Sequence, residues 1–490
     1  MQERQITNPY LPEFEYIPDG EPRVFGDRVY VYGSHDRFGG KKFCLNDYVC
    51  YSADVCDLTD WRYEGVIYRR NQDPRMKGGD YQLWAPDVVR GKDGRYYLYY
   101  CPDDRIRSIG VAVCDVPAGK YSFLGIVHDP QGRAIGERPG DTIAFDPGVF
   151  IDDDGSIYLY SGNGPRNKRA IGKEPKASVV MTLEDDMLTV RSEPRQLLPT
   201  LANSRDTGFE GHEFFEASSI RKINGRYYLV YSSVHMHELC YAVSDRPDGG
   251  YQYGGVLVSN CDIFPGALDK PLNCIGNNHG GIAYIGGEYY IFYHRHTNRS
   301  MFSRQGCAEK LKLLPDGRFL QAEMTSGGLN GGPLAGIGTY PASMACHLYG
   351  KKRQGIAHPL LMRRRHPYFT QEGPDFDRDT AALSEVPRQY IANCKDGMTV
   401  TFRYFRVENL SAVTVKVRGK MSGKLLIYTD LAAAPVGKIA LQPAVEWKAY
   451  TGAARIPAGI WSLHFKFEGK GKFDLLEFTL VEDNEGLKVC

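Results

Sequence analysis

Five stretches of the chain share one pattern: a Gly- or Asn-containing turn, then a run of aromatic and aliphatic residues. They read GDRVYVYGS, DGRYYLYYC, DGSIYLYSG, NGRYYLVYS and GGEYYIFYH. The equivalent aromatics, Tyr30, Tyr97, Tyr158, Tyr228 and Tyr290, are spaced 67, 61, 70 and 62 residues apart. Each unit carries several short strand-like segments separated by Gly, Asp and Asn turns. Four antiparallel strands per unit, set radially, build a β-propeller, which leaves few unprotected sheet edges. The predicted class is therefore all-β, with five blades and the extra unit length in loops. After EMTSGGLNGGPLAGIGTYP the pattern stops. A basic run over residues 351–367 reads as a connection, and from 368 short strands such as MTVTFRYF, AVTVKVRG, GKLLIYT, GIWSLHFKFEG and KFDLLEFTLV predict a β-sandwich. The expected division is a propeller over 1–345, a linker over 346–367 and a sandwich over 368–490.

Ten to twelve residues before each repeated aromatic stands a polar group: Asp19, Asp87, Asp146, Glu216 and His279. Innermost propeller strands converge on the axis, so these groups are expected to meet there and to raise one another's pKa by repulsion and desolvation. The plain alternative is that each caps a turn. Asp19 and Glu21 lie two apart and share a face of an extended segment. Trp84, in WAPD, is a candidate wall for a sugar ring or a wedge between blades. Asp152, Asp153 and Asp154 read as a solvated outer turn, with Arg295 and His296 at the far end of the fifth hairpin.

Composition narrows the function without naming it. The chain has 490 residues, 42% hydrophobic and 24% charged, the balance of a globular protein with a large core and a smaller module. A net charge of +1 gives no reason to expect nucleic acid or a membrane surface as partner. No apolar run is long enough to span a bilayer, and MQERQITNPYLP lacks a leader pattern. The 12 Cys are scattered, and Cys44, Cys50 and Cys56 have no His partner, so a reduced, cytoplasmic protein is expected. The 33 Tyr against four Trp fall mostly in the repeated strands, which makes β-structure their first explanation and sugar stacking their second. Oligomeric state is not legible.

In order, the segments DGEP before VYVYGSHD, WAPDV, FDPGVFIDDDG, FEASS before NGRYYLVYS, and NHGGI before YHRH resemble glycoside hydrolase family 43 over roughly residues 8–345. The resemblance implies a five-bladed propeller that hydrolyses glycosidic bonds with inversion. It places the base on Asp19, a pKa-modulating Asp on Asp146 and the acid on Glu216. The family often has Pro after the base, where this chain has Gly20, so Asp19 and Glu21 both stand as candidates. An inverting pair needs one protonated carboxyl and, roughly 6.5–9.5 Å away, a carboxylate that activates water. Flanked by Phe214, Phe215 and Ala217, Glu216 is expected to have a raised pKa through desolvation and the Asp146 charge.

The resemblance further implies that His279 lies near the axis beside water or a structural calcium ion, with a hydrogen-bonded core histidine as the alternative. No cofactor is implied for the chemistry. Arg304 is a candidate contact for substrate or for a carboxylate. The C-terminal part resembles a family 6 carbohydrate-binding module through GIWSLHFKFEG and FDLLEFTLV, with Leu475 and Leu476 where an aromatic often follows the Asp, here Asp474. A purely structural role is the alternative. The implied substrate is a plant cell-wall oligosaccharide, with α-L-arabinofuranosidase first and β-xylosidase second. A non-catalytic sugar-binding propeller is the rival if the acids do not converge. The retaining sucrose- and fructan-cleaving group is disfavoured, because its Asn-Asp-Pro-Asn and Arg-Asp-Pro signatures are absent.

Overall fold

The computed structural model describes residues 4–482 except 80, 104, 174, 265–269 and 352–364. Each of the five repeats folds into one blade of four antiparallel strands taken in chain order: β1–β4 over residues 21–68, β5–β8 over 83–126, β9–β12 over 148–196, β13–β16 over 214–259 and β17–β20 over 282–320. The innermost strands are β1 (Glu21–Phe25), β5 (Leu83–Arg90), β9 (Gly148–Ile151), β13 (Phe214–Ile223) and β17 (Ile282–Ile285). Around the axis β1 touches β5 and β17, and β9 touches β5 and β13.

Each blade is covered on both faces, which is why the repeated strands are apolar at almost every position. Five hydrophobic clusters lie between successive blades: Tyr48 with Tyr100, Tyr99 with Leu159, Tyr160 with Tyr231, Tyr241 with Tyr293, and Val31 with Phe292. The tyrosine load is used here, and none of the residues lining the axial pocket described below is a tyrosine. Among the described residues no strand is shared between the first and last blades. Instead the segment before β1 docks on the fifth blade, where Asn8 Nδ2 donates to Ala308 O and Glu309 Oε1, both at 2.9 Å.

Along the axis the side chains form successive layers two residues apart, the period of a strand. Below Asp19 comes Glu21, then Arg23; below Ser219 comes Arg221. Glu21 accepts from Arg221 Nη2 at 2.5 Å and from Ser219 Oγ at 3.0 Å. Asp87 accepts from Arg23 Nε at 2.8 Å and Nη2 at 2.6 Å, and from the Val149 amide at 2.8 Å. Gly281 keeps this layer closed without crowding it, since a Cβ there would come within 2.5 Å of Glu21 Oε2.

The C-terminal domain is all-β as expected, but its strands are longer than the sequence pattern suggests. Its ten strands, β21 to β30, form one continuous hydrogen-bonded sheet wrapped around its own core. AVTVKVRG and GKLLIYT are one strand, β27 (Leu410–Tyr428); GIWSLHFKFEG and KFDLLEFTLV are also one, β30 (Gly459–Glu482). The two pair along their whole length and turn from one layer into the other near Gly419 and Gly471. Those glycines have φ of 146° and 80°, and a Cβ on Gly471 would meet Lys420 O. The sheet also takes two strands from before residue 345, Leu334–Ala335 and Gly338–Pro341, and one from the expected linker, His347–Tyr349, all of which pair with its long strands. Most of the expected linker, 352–364, lies outside the described residues. Asp474 accepts from Arg418 and the Asn393 amide, and Leu475 and Leu476 are core residues. Among the described residues no helix is long and apolar enough to cross a membrane.

The axial network yields a stability prediction. Asp87→Ala removes the bidentate partner of the buried Arg23 and should cost about 3 kcal/mol or more. Urea denaturation should show a lower midpoint at unchanged slope; an unshifted midpoint would remove this network as a structural element.

Candidate active site

At the top of the axis the chain leaves its strand geometry to aim side chains into one pocket of about 380 Å³. Asp19, Ala85, Asp146 and Ala217 all have positive φ, at 57°, 29°, 46° and 72°. Non-glycine residues rarely adopt this region, and here they gather around one cavity. The hydrogen-bond register of β13 shifts on both sides of Glu216, and that of β5 shifts between Trp84 and Asp87. These bulges turn a side chain out of the ladder.

Asp19, Asp146, Glu216 and His279 line the pocket together. Asp87 does not. The bulge in β5 puts Ala85 at the pocket level and drops Asp87 one layer down, onto Arg23. The expectation of five polar groups at one level is thus corrected to four, and Glu21 is likewise one layer below, bound to Arg221. Of the two candidates for the base, Asp19 faces the cavity.

The electrostatics separate the carboxyls. Burial works against a charge on Asp19, but Arg304, His294 and His279 outweigh it and hold its pKa at about 2. Arg304 Nη1 donates to Asp19 Oδ1 at 2.9 Å, while Nε and Nη2 donate to the two oxygens of the buried Asp36 at 2.9 and 3.0 Å. Glu216 is pushed up to about 7 by burial and by the Asp19 charge. Asp146 is raised well above the ordinary carboxylate range by burial and by the charges of Glu216 and Asp19. The buried pair of Asp146 and Glu216 therefore retains a proton at neutral pH. Burial was the expected first cause of the Glu216 shift, and the charge of Asp19 adds to it; Glu216 and Asp146 also repel one another as a buried pair.

The remaining sequence candidates occupy defined places. Trp84 packs edge-on to Phe145, with ring centroids 5.3 Å apart, and both border the pocket. The described hydrogen bonds of the Arg304 guanidinium run to Asp36, Asp19 and Cys44, making it a carboxylate contact. His279 Nδ1 lies 3.5 Å from Asp146 Oδ2, and burial lowers its pKa, which favours the neutral ring. Calcium takes six to eight oxygen ligands. Around His279 the protein side chains alone do not supply that number: Asp146 Oδ2 accepts from the Ala217 amide at 3.2 Å, and both oxygens of Asp87 are engaged by Arg23 and the Val149 amide. Among the described residues, the cluster with metal-ligand spacing is His212, Glu238 and Cys240 in the fourth blade, where the first two are hydrogen-bonded at 2.7 Å.

Several site residues carried no clear sequence signal. Asn163 Nδ2 donates to Glu216 Oε2 at 3.2 Å, and Lys176 donates to Asn163 Oδ1 at 2.9 Å. Asn163 follows directly on the third aromatic strand and Asp36 comes four residues after the first, positions that could have marked them. The antiparallel return in the fifth blade brings the end of the YHRH strand back to the pocket, so His294 Nδ1 lies 3.3 Å from Asp19 Oδ1. Phe43, Met301 and Phe302 reach the pocket from loops.

The model for glycosyl hydrolases family 43 matches residues 6–319. The chain belongs to this family. It is a glycoside hydrolase. A "xylosidase/arabinosidase" of Thermoclostridium stercorarium is 49% identical over 98% of this chain and 100% of its own length. An "arabinoxylan arabinofuranohydrolase" of Bacillus subtilis is 30% identical over 93% of the chain and 88% of its own. Among solved structures, a family 43 enzyme of Xanthomonas citri complexed with xylotriose superposes with a TM-score of 0.51 at 26% identity, covering 65% of this chain and 94% of that one. The family 43 match ends at 319, so the C-terminal sheet stands outside it.

The Arg304 bridge makes a specific prediction. Arg304→Lys replaces a planar fork by a point charge that cannot hold Asp19 and Asp36 together. Asp19 then loses stabilisation of its ionised form, and its pKa should rise from about 2 towards or above the ordinary range. A carboxyl-carbon NMR titration measures it directly; an unmoved Asp19 would show that the histidines suffice.

Proposed function

We propose that this family 43 enzyme is an inverting hydrolase that removes α-L-arabinofuranosyl residues from arabinoxylan or arabino-oligosaccharides. Glu216 acts as acid, Asp19 as base and Asp146 as the proton-sharing partner of Glu216. The observation that carries the mechanism is that two carboxyls of one pocket are displaced in opposite directions, Asp19 to about 2 and Glu216 to about 7. Such a split assigns acid and base. Protonated Glu216 donates to the glycosidic oxygen as the bond to the anomeric carbon breaks. Ionised Asp19 takes a proton from the water that attacks the opposite face. Asn163 orients the Glu216 carboxyl, and Arg304 keeps Asp19 ionised. Trp84, Phe145 and Phe43 supply apolar surface for the sugar faces.

The names of the relatives from Thermoclostridium stercorarium and Bacillus subtilis support arabinosides as substrates. The first of these names also keeps β-xylosidase action on xylo-oligosaccharides as the second reading. Convergence of Asp19, Asp146 and Glu216 in one cavity argues against a propeller that only binds sugar.

Initial rates on p-nitrophenyl α-L-arabinofuranoside and β-D-xylopyranoside, with wild type beside Glu216→Gln, test the assignment. On an oligosaccharide, whose leaving group needs a proton, the variant should lose about 10²–10⁴-fold. On the nitrophenyl glycosides, whose leaving group needs little help, the loss should be smaller. Equal, undiminished rates in a folded variant would overturn the role of Glu216.

The pH profile follows with a definite sign. The acid works only while protonated, a form present below its pKa, so kcat/KM should fall as pH rises through about 7. With Asp19 at about 2, no acid limb from the base should appear between pH 4 and 6. A profile that rises through pH 7 would contradict the assignment.

A further inference from the structure

Two loops close the apolar side of the pocket, and both are anchored from outside the propeller. The first, 37–46, carries Phe43; the second, 297–303, carries Met301 and Phe302. The two phenyl rings meet edge to face with centroids 4.7 Å apart, and the Arg304 guanidinium sits 4.8 Å from the Phe43 ring centre. This pair borders the cavity beside the carboxylate that the Proposed function makes the base.

The first loop reads RFGGKKFCLN, with two adjacent glycines and two exposed lysines, a segment of high conformational freedom. Asp375 of the C-terminal domain grips it near both ends: Oδ1 accepts from the Phe38 amide at 2.7 Å and Oδ2 from Asn46 Nδ2 at 3.0 Å. Hydrogen bonds to a carboxylate are among the stronger ones available. The second loop begins with Asn298 and Arg299 at φ of 49° and 51°. Its Asn298 amide donates to Phe369 O at 2.7 Å, Thr370 Oγ1 donates to Asn298 Oδ1 at 3.1 Å, and Arg299 lies over the Tyr368 ring at 3.9 Å. These contacts all come from the strand Tyr368–Gln371 and the turn that follows it.

We propose that this C-terminal segment is a specificity element of the active site: Asp375 and Thr370 are positioning residues that set the Phe43–Phe302 wall against which the sugar packs. The inference rests on the glycosidase reading and deepens it, since Phe43 and Phe302 line the same pocket as Asp19 and Glu216. A furanosyl and a pyranosyl ring differ in shape more than in hydroxyl count, and an apolar wall held at a fixed distance discriminates by shape. The C-terminal sheet then acts on substrate choice without touching the substrate.

The test uses the full-length chain with Asp375→Ala, Asp375→Asn, Phe43→Ala and the double variant Asp375→Ala/Phe43→Ala. Each is assayed on the p-nitrophenyl arabinofuranoside and xylopyranoside after its thermal midpoint has confirmed folding. Asp375→Ala should raise KM about tenfold for the better substrate, leave kcat within about threefold, and change the arabinoside-to-xyloside ratio. Asp375→Asn keeps an acceptor for the Phe38 amide and should recover part of the loss. The double variant should be no worse than Phe43→Ala alone, because the tether works through that ring. An unchanged KM and ratio in folded Asp375→Ala, or a penalty that multiplies on the Phe43→Ala background, overturns the proposal. Calorimetric binding of xylotriose to Glu216→Gln, with and without Asp375→Ala, makes the same comparison without turnover. An inactive wild type would thus count against the hydrolytic reading, whereas equal xylotriose affinities, or no binding in either, would count against the wall.

Discussion

The arrangement of the pocket depends on one buried cation. Arg304 is 2% exposed and donates to Asp19 and Asp36 at once, joining the start of the first blade, the loop after its second strand and the outgoing strand of the fifth. A buried guanidinium is tolerable only when it is paired and fully hydrogen-bonded, and a planar fork serves two carboxylates better than an ammonium does. Through this contact the closure of the propeller ring and the ionisation of Asp19 become one structural fact. The negative charge that Arg304 secures on Asp19 in turn adds to the burial that already raises Glu216 and Asp146, so that a second charge nearby is discouraged. Asp19 and Glu216 are thus displaced in opposite directions, Asp19 by its contact with Arg304 and Glu216 by burial and the Asp19 charge, although Arg304 itself favours an ionised Glu216.

The strand period of two explains both what the sequence revealed and where it misled. Turn and aromatic strand recur five times, and every copy became the hairpin of one blade, because each blade must bury both faces and so repeats the same apolar run. Counting back from those strands located Asp19, Asp146, Glu216 and His279 at the pocket. The same count failed for Asp87, because one bulge between Trp84 and Asp87 shifts the register and exchanges layers. A bulge leaves no mark in a pattern of apolar and polar letters. Asp19 and Glu21, indistinguishable by face, are separated only by depth along the axis, which the neighbouring blades decide through Arg221 and Ser219.

The C-terminal part shows a different limit. Its alternating strands were legible, but Gly419 and Gly471 looked like ends when they are bends within strands that continue. The loops that carry Phe43 and Phe302 were opaque for a deeper reason. Their conformations are set by Asp375 and Thr370, more than 65 residues further along the chain, so no local reading could have placed them. Framework and acids are local in origin, whereas the wall that faces the sugar is not. The same division runs through function: bond cleavage is assigned to the propeller axis, and the choice of sugar to contacts between the propeller and the sheet that follows it.

The central claim is that Asp19 activates water on the face opposite the proton donated by Glu216, and the configuration of the first-formed product tests it most directly. Proton NMR during hydrolysis of a β-xyloside, recorded before mutarotation, should show α-xylose appearing first and the β anomer growing only as the two equilibrate. The β anomer appearing first would mean a carboxylate attacked carbon instead of water, and would contradict the account.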